Sequence, residues 1–191
     1  LYMDRKESKR MDRYTQFAIV AATEALADSK LNLDNINKQR VGVLVGSGIG
    51  GLSTIEAQIR SLVNKGPNRV APLTIPMSIS NIASGAIAIK FGLLGSSFSI
   101  TSACASSTHC IGEAYRNIKD GYSDIIFAGG SEASICEFGI SSFQSLTALS
   151  KSEDRNRASI PFDLNRNGFV MGEGAGVLIL EDLESALKRG A

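Results

Sequence analysis

The 191-residue chain is 43% hydrophobic and 20% charged, with a formal charge of +1. This is the balance of an ordinary globular protein, large enough for one domain with a real core. No apolar run approaches the roughly 18 residues that span a bilayer, and no secretory pattern opens the chain. Nucleic acid is excluded as a partner, because charge is nearly balanced and no aromatics interleave with the basic residues.

In chain order, Arg5, Lys6, Lys9, Arg10 and Arg13 make the opening basic, against Asp4, Glu7 and Asp12. Tyr14, Phe17, Ala18, Ala21, Ala25 and Leu26 fall at helical spacing and predict a helix with one buried face. Val41 to Val45 is a continuous apolar run, expected for a strand covered on both faces. The glycine turn Gly46-Ser47-Gly48-Ile49-Gly50-Gly51 follows, then a helix from about Leu52 to Asn64, broken by Gly66-Pro67-Asn68. A helix over Ser80 to Phe91, almost uncharged, reads as buried. Phe98 to Thr101 reads as a strand buried on all sides, and Cys104 to Lys119 as a helix. Asp124 to Gly129 is another apolar strand. Residues 137–170 read as irregular and polar, and Gly176 to Leu180 as a last buried strand. Strands alternating with helices predict a layered α/β fold with a mostly parallel sheet and no internal domain boundary. The chain opens on Leu1 and stops at Lys188-Arg189-Gly190-Ala191 straight after a short helix; it reads as a piece of a larger protein.

The chemistry centres on Thr101-Ser102-Ala103-Cys104-Ala105-Ser106-Ser107. A cysteine at a strand-to-helix turn faces unpaired backbone N–H groups and the positive end of the next helix, which stabilise negative charge on sulfur. Its small neighbours leave room for a carbonyl, so Cys104 reads as a nucleophile that forms a thioester. The alternative is an inert, buried cysteine. Three cysteines at C-x5-C and C-x25-C spacing suggest neither a disulfide framework nor a metal site, and fit a reducing compartment.

The glycine turn satisfies G-x-G-x-x-G after a strand, which raises a dinucleotide site. Such a site needs an acid near the end of the next strand, and residues 57–112 contain neither Asp nor Glu. That reading fails. The single histidine, His109, follows Cys104 by five residues, roughly 140° around a helix. It is therefore expected to serve structure rather than the thiol. Acyl chemistry also needs a base or an oxyanion-stabilising group, and the chain offers none; those groups are expected elsewhere. The basic residues form either a solvated face or a docking patch for an acidic partner.

Thr101 to Ser106, with Thr108-His109-Cys110-Ile111-Gly112 behind it, resembles the nucleophile segment of the β-ketoacyl-[acyl-carrier-protein] synthases. The glycine turn, Ala128-Gly129-Gly130-Ser131-Glu132, Pro161-Phe162-Asp163 and Gly168 to Gly176 resemble the same family in order and spacing. Spacing from the turn to the cysteine fits the type II synthases best. The resemblance implies a thiolase-like fold of two similar halves, with residues 1–191 most of the first and the C-terminal half absent. It implies a cytoplasmic homodimer without cofactor or metal, serving fatty acid elongation. Cys104 would take an acyl group from acyl carrier protein, and its N–H would be one oxyanion donor. Malonyl carrier protein would then lose CO2 and condense with the bound chain. The two catalytic histidines and the lysine of the family would lie outside this chain, leaving it inactive alone. Ile49 and Phe143 match positions lining the acyl tunnel; Lys6, Lys9, Arg10 and Arg69 match positions meeting the carrier protein. Asn68 and Thr147 depart from arginines frequent in type II members. A thiolase on the same fold, or a non-catalytic partner subunit, are the competing classes. The Gly168 to Gly176 segment speaks against the first and Cys104 against the second.

Overall fold

A computed structural model describes residues 3–191; Leu1 and Tyr2 lie outside the described residues. The elements run α1 (Arg5–Ser8), α2 (Arg13–Ser29), β1 (Val41–Gly46), α3 (Leu52–Lys65), α4 (Thr74–Ser78), α5 (Ile82–Phe91), β2 (Ser97–Phe98), α6 (Ser106–Lys119), β3 (Ile125–Glu132), α7 (Glu137–Ser145), β4 (Gly174–Glu181) and α8 (Leu183–Lys188). The strands form one sheet in the order β2-β1-β3-β4. β1 pairs in parallel with both β2 and β3, while β4 pairs antiparallel with β3.

Strand alternation sorts the core into two layers. Val41, Val43 and Val45 of β1, with Ile125 and Phe127 of β3, point to one face. There they meet Tyr14, Ala18, Ile19 and Ala22 of α2 and Ala83, Ala86 and Ile87 of α5. Leu44, Ile126 and Ala128 point the other way, onto Cys110 and Ala114 of α6. Each large side chain so buried contributes about 1.5–3 kcal/mol. Every residue of β1 is buried, as its unbroken apolar run requires.

Asp12 caps α2, accepting the N–H of Tyr14 at 3.2 Å, and its other oxygen takes the N–H of Thr54 at 3.0 Å. One buried carboxylate thus ties the start of α2 to the first turn of α3. No helix among the described residues is long and apolar enough to cross a membrane.

Five expectations are corrected. The helix after the cysteine starts at Ser106, not Cys104, because residues 103–105 form the turn that feeds it. The strand around Phe98 is two residues long and exposed, since it lies at a sheet edge with one neighbour. The 80–91 helix starts at Ile82 and buries one face only; Ile89 on the other is 81% exposed. Glu137–Ser145, within the stretch read as irregular, is helical. The last strand runs Gly174–Glu181 and is largely uncovered, because it closes the opposite edge of the sheet.

Candidate active site

Cys104 sits on a tight elbow between the sheet and α6. Ala103, immediately before it, has φ +50°, a left-handed conformation that costs a residue with a Cβ about 1–2 kcal/mol. Ser106 holds this elbow shut. Its buried hydroxyl accepts the Ser102 N–H at 2.9 Å and donates to the Ala103 carbonyl at 2.7 Å. The Ala105 N–H bonds the Ser102 carbonyl at 3.1 Å, whereas no acceptor among the described residues takes the Cys104 N–H. The elbow therefore presents an exposed thiol beside an open backbone donor.

Two glycines paired in the β1–β3 register, Gly46 and Gly130, let α6 come this close to the sheet. A Cβ on Gly46 would stand 2.9 Å from the Ser106 carbonyl oxygen, and one on Gly130 would overlap the Ser107 side chain.

The thiol opens into a cavity of about 580 Å³. Its walls come from the glycine turn after β1 (Ser47 to Ile49), the elbow, the end of β3 (Gly130 to Glu132), Phe143 of α7, residues 169–172 and the start of β4. Three residues singled out from the sequence, Cys104, Ile49 and Phe143, thus line one cavity. Phe143 meets Phe169 edge-on, with ring centroids 5.4 Å apart. A mainly apolar wall facing a single thiol suits an acyl chain held as a thioester.

The other two cysteines differ in environment. Cys110 is buried, and desolvation pushes its thiol up from the ordinary range. Cys136 is pushed up too, by desolvation first and then by its hydrogen bond with Glu56. Neither lines the cavity, and neither does His109.

Lys6, Lys9, Arg10 and Arg69 are all exposed and stand apart from the cavity. Lys6 is on α1, Lys9 caps its end, Arg10 follows, and Arg69 closes the short turn Pro67–Arg69 after α3. Acids in the first segment are occupied. Asp4 caps α1, and the N–H groups of Glu7 and Lys6 hold its carboxyl below the usual range. Glu7 lies 3.9 Å from Lys90, and Asp12 is buried. Five basic residues against three acids over residues 4–13 leave this segment a positive balance.

Sequence reasoning gave no role to Ala103, Ser106 or Glu132. Ser106 carries no distinctive spacing and Ala103 no sign of positive φ. Glu132 was visible only as the last residue of Ala128-Gly129-Gly130-Ser131-Glu132, a segment that carries the family resemblance, and past the expected end of its strand.

Comparison with known proteins agrees with this architecture. The profile of the beta-ketoacyl synthase N-terminal domain matches residues 2–186. The 3-oxoacyl-[acyl-carrier-protein] synthase 2 of Synechocystis sp. is 48% identical over 191 residues, covering 100% of this chain and 46% of that protein. The Staphylococcus aureus synthase 2 is 46% identical over 190 residues, again 100% of this chain and 46% of the relative. This chain therefore spans about half the length of the curated relatives it matches. Among solved structures, a type II PKS acyl-carrier protein in complex with its ketosynthase (AntDE:AntF) aligns with a TM-score of 0.87 at 35% identity, over 94% of this chain and 46% of that one. A beta-ketoacyl synthase from Burkholderia phymatum aligns at 0.84 and 31% identity, over 98% of this chain and 46% of that one. The fold is thus the thiolase-like α/β of the ketosynthases, with β4 reversed at one edge of its mostly parallel sheet. A thiol on a strained elbow, a cavity to receive a chain and a matching profile over 2–186 converge: the chain belongs to the beta-ketoacyl synthase family, in its N-terminal domain.

Proposed function

We propose that this chain carries the acyl-accepting site of a type II 3-oxoacyl-[acyl-carrier-protein] synthase of fatty acid elongation. The observation that carries the reading is the exposed Cys104 on its elbow, opening into the cavity that Ile49 and Phe143 share. In the first half-reaction Cys104 Sγ attacks the carbonyl of acyl carrier protein's thioester. The new C–S bond forms on Cys104, and the carrier's thiol leaves with a proton. The Cys104 N–H faces the oxyanion of the tetrahedral intermediate, and the chain lies along Ile49 and Phe143. In the second half-reaction malonyl carrier protein loses CO2 and its carbanion attacks the thioester carbon. A C–C bond forms, the Cys104 C–S bond breaks, and a 3-oxoacyl product two carbons longer leaves on the carrier.

Decarboxylation and carbanion stabilisation need donors that this chain, with one histidine turned to Ser102, does not provide. They come from a second, similar half, of which residues 1–191 are the counterpart. The exposed Lys6, Lys9, Arg10 and Arg69 receive the acidic carrier protein; a carrier protein as partner is supported by the ketosynthase among the structural relatives that is in complex with its acyl-carrier protein. The enzyme works as a cytoplasmic homodimer.

The test is adduct mapping. The protein as its gene encodes it is treated with an epoxide that mimics an acyl group, and the modified peptide is sequenced by mass spectrometry. Labelling at Cys104 is expected. Labelling at Cys110 or Cys136 with Cys104 untouched overturns the reading.

A further inference from the structure

Glu132 has no part in the chemistry above, yet it stands in the wall of the Cys104 cavity. Both its oxygens are engaged, and only by neutral donors. Oε2 accepts the Gly48 N–H at 2.7 Å; Oε1 accepts the hydroxyls of Ser47 at 3.1 Å and Ser134 at 3.2 Å. No lysine or arginine pairs with it among the described residues. The Ser47 hydroxyl, while donating to Glu132, accepts the Gly50 N–H at 2.8 Å. One carboxylate therefore holds the amides on both sides of Ile49, that of Gly48 directly and that of Gly50 through Ser47.

The turn has no other means of fixing Ile49 from its neighbours' side chains, because both neighbours are glycines. Gly48 is also wedged in place. A Cβ there would lie 3.0 Å from Glu132 Oε2 and 3.3 Å from the Ala103 carbonyl oxygen. The carboxylate is bonded to the turn, and the turn lies close beside the elbow before Cys104, so a shift of Glu132 moves the cavity wall relative to the thiol.

We infer that Glu132 is a positioning residue that holds Ile49 against the Cys104 cavity and thereby sets which acyl chain lengths are accepted. The inference rests on the functional reading given above. A purely structural Glu132 would lower stability and slow all substrates alike. A positioning Glu132 changes the ratio between long and short chains, and does so only while Ile49 is there to be moved.

The experiment compares wild type, Glu132→Gln, Ile49→Ala and the double variant, in the protein as its gene encodes it. It measures kcat/KM for thioester formation on Cys104 from short- and long-chain acyl carrier protein. Glu132→Gln, which replaces an acceptor oxygen by a donor, should change the long-to-short ratio by about fivefold or more and add little once Ile49 is alanine. An unchanged ratio overturns the inference, as does a full Glu132→Gln effect in the Ile49→Ala background. Should Glu132→Gln fail to fold, Ser47→Ala removes only the relay to Gly50 and should shift the ratio the same way; no shift there overturns the inference. If wild type forms no thioester on Cys104 with any acyl carrier protein, the functional reading itself has failed, a result distinct from an unaltered ratio in an active enzyme.

Discussion

The Oγ of Ser102 and the Nδ1 of His109 lie 2.6 Å apart, one helical turn behind the elbow that carries Cys104. The lone histidine of the chain is thus occupied by a hydroxyl and lies outside the cavity that the thiol faces. A general base contributes about 10²–10⁴-fold to a rate. His109→Ala should instead slow alkylation of Cys104 by less than about threefold, well short of that range. Kinetics with iodoacetamide check this, and a hundredfold loss would make His109 the partner of the thiol.

Ala103 should behave as a strained residue. Ala103→Gly removes the clash of a Cβ at φ +50° and should raise stability by about 0.5–1 kcal/mol. Ala103→Val, branched at Cβ, should lower it by more than about 2 kcal/mol. Urea midpoints of the two variants decide the matter; a lower midpoint for glycine would mean the elbow stores no strain.

How far the sequence alone reached depends on what stabilises each element. β1, α3 and β3 carry their own signals: an apolar run, an apolar stripe, glycine punctuation. Cys104 was legible from its place at a strand-to-helix turn, whereas Ile49 and Phe143 were named as cavity residues only through the family resemblance. α7 carries no such signal. Its single buried residue is Gly139, and its cap residue Cys136 makes no side-chain cap bond. What holds it is tertiary: Glu56 accepts the Phe138 N–H at 2.9 Å, and Arg60 pairs with Glu137. Both partners lie on α3, far away in sequence. The direction of β4 was equally hidden, because the long stretch between β3 and β4 holds a helix, α7, as a parallel return would, and no tight hairpin turn marks the antiparallel pairing. Exposure of β2 depends on its place at the edge of the sheet, which no local pattern records.

Tyr14 makes stability sensitive to alkali. Its ring is fully buried, its hydroxyl donates to the Ile79 carbonyl at 2.5 Å, and desolvation above all pushes its pKa from 10.0 up to about 12. The folded state therefore keeps a proton that the unfolded chain gives up. This contribution is complete below pH 10 and is lost as pH rises from 10 towards about 12, by about 2 kcal/mol at the upper end. Tyr14→Phe should cost about 1–3 kcal/mol at neutral pH by leaving the carbonyl unpaired, and the gap to wild type should close in alkali. Denaturation curves at pH 8 to 12 for both proteins test it; a constant gap would refute it.

The basic face should act through charge. Reversing two of Lys6, Lys9, Arg10 and Arg69 to Glu should raise KM for carrier-linked substrate about threefold to tenfold, more at low salt than at high. Small thioesters that need no carrier should react unchanged. Equal losses for both substrate kinds would assign the patch another role.

No two neighbouring strands of the sheet are adjacent along the chain by a hairpin. β1 waits for β2 and β3 across intervening helices, and β4 emerges about forty residues after β3 ends. During synthesis, then, Val41–Gly46 is made with both edges bare and acquires its inner neighbour only when Ile125–Glu132 leaves the ribosome. The cost of this topology falls on the newborn chain, which must keep a fully apolar strand from foreign partners for some eighty residues of translation.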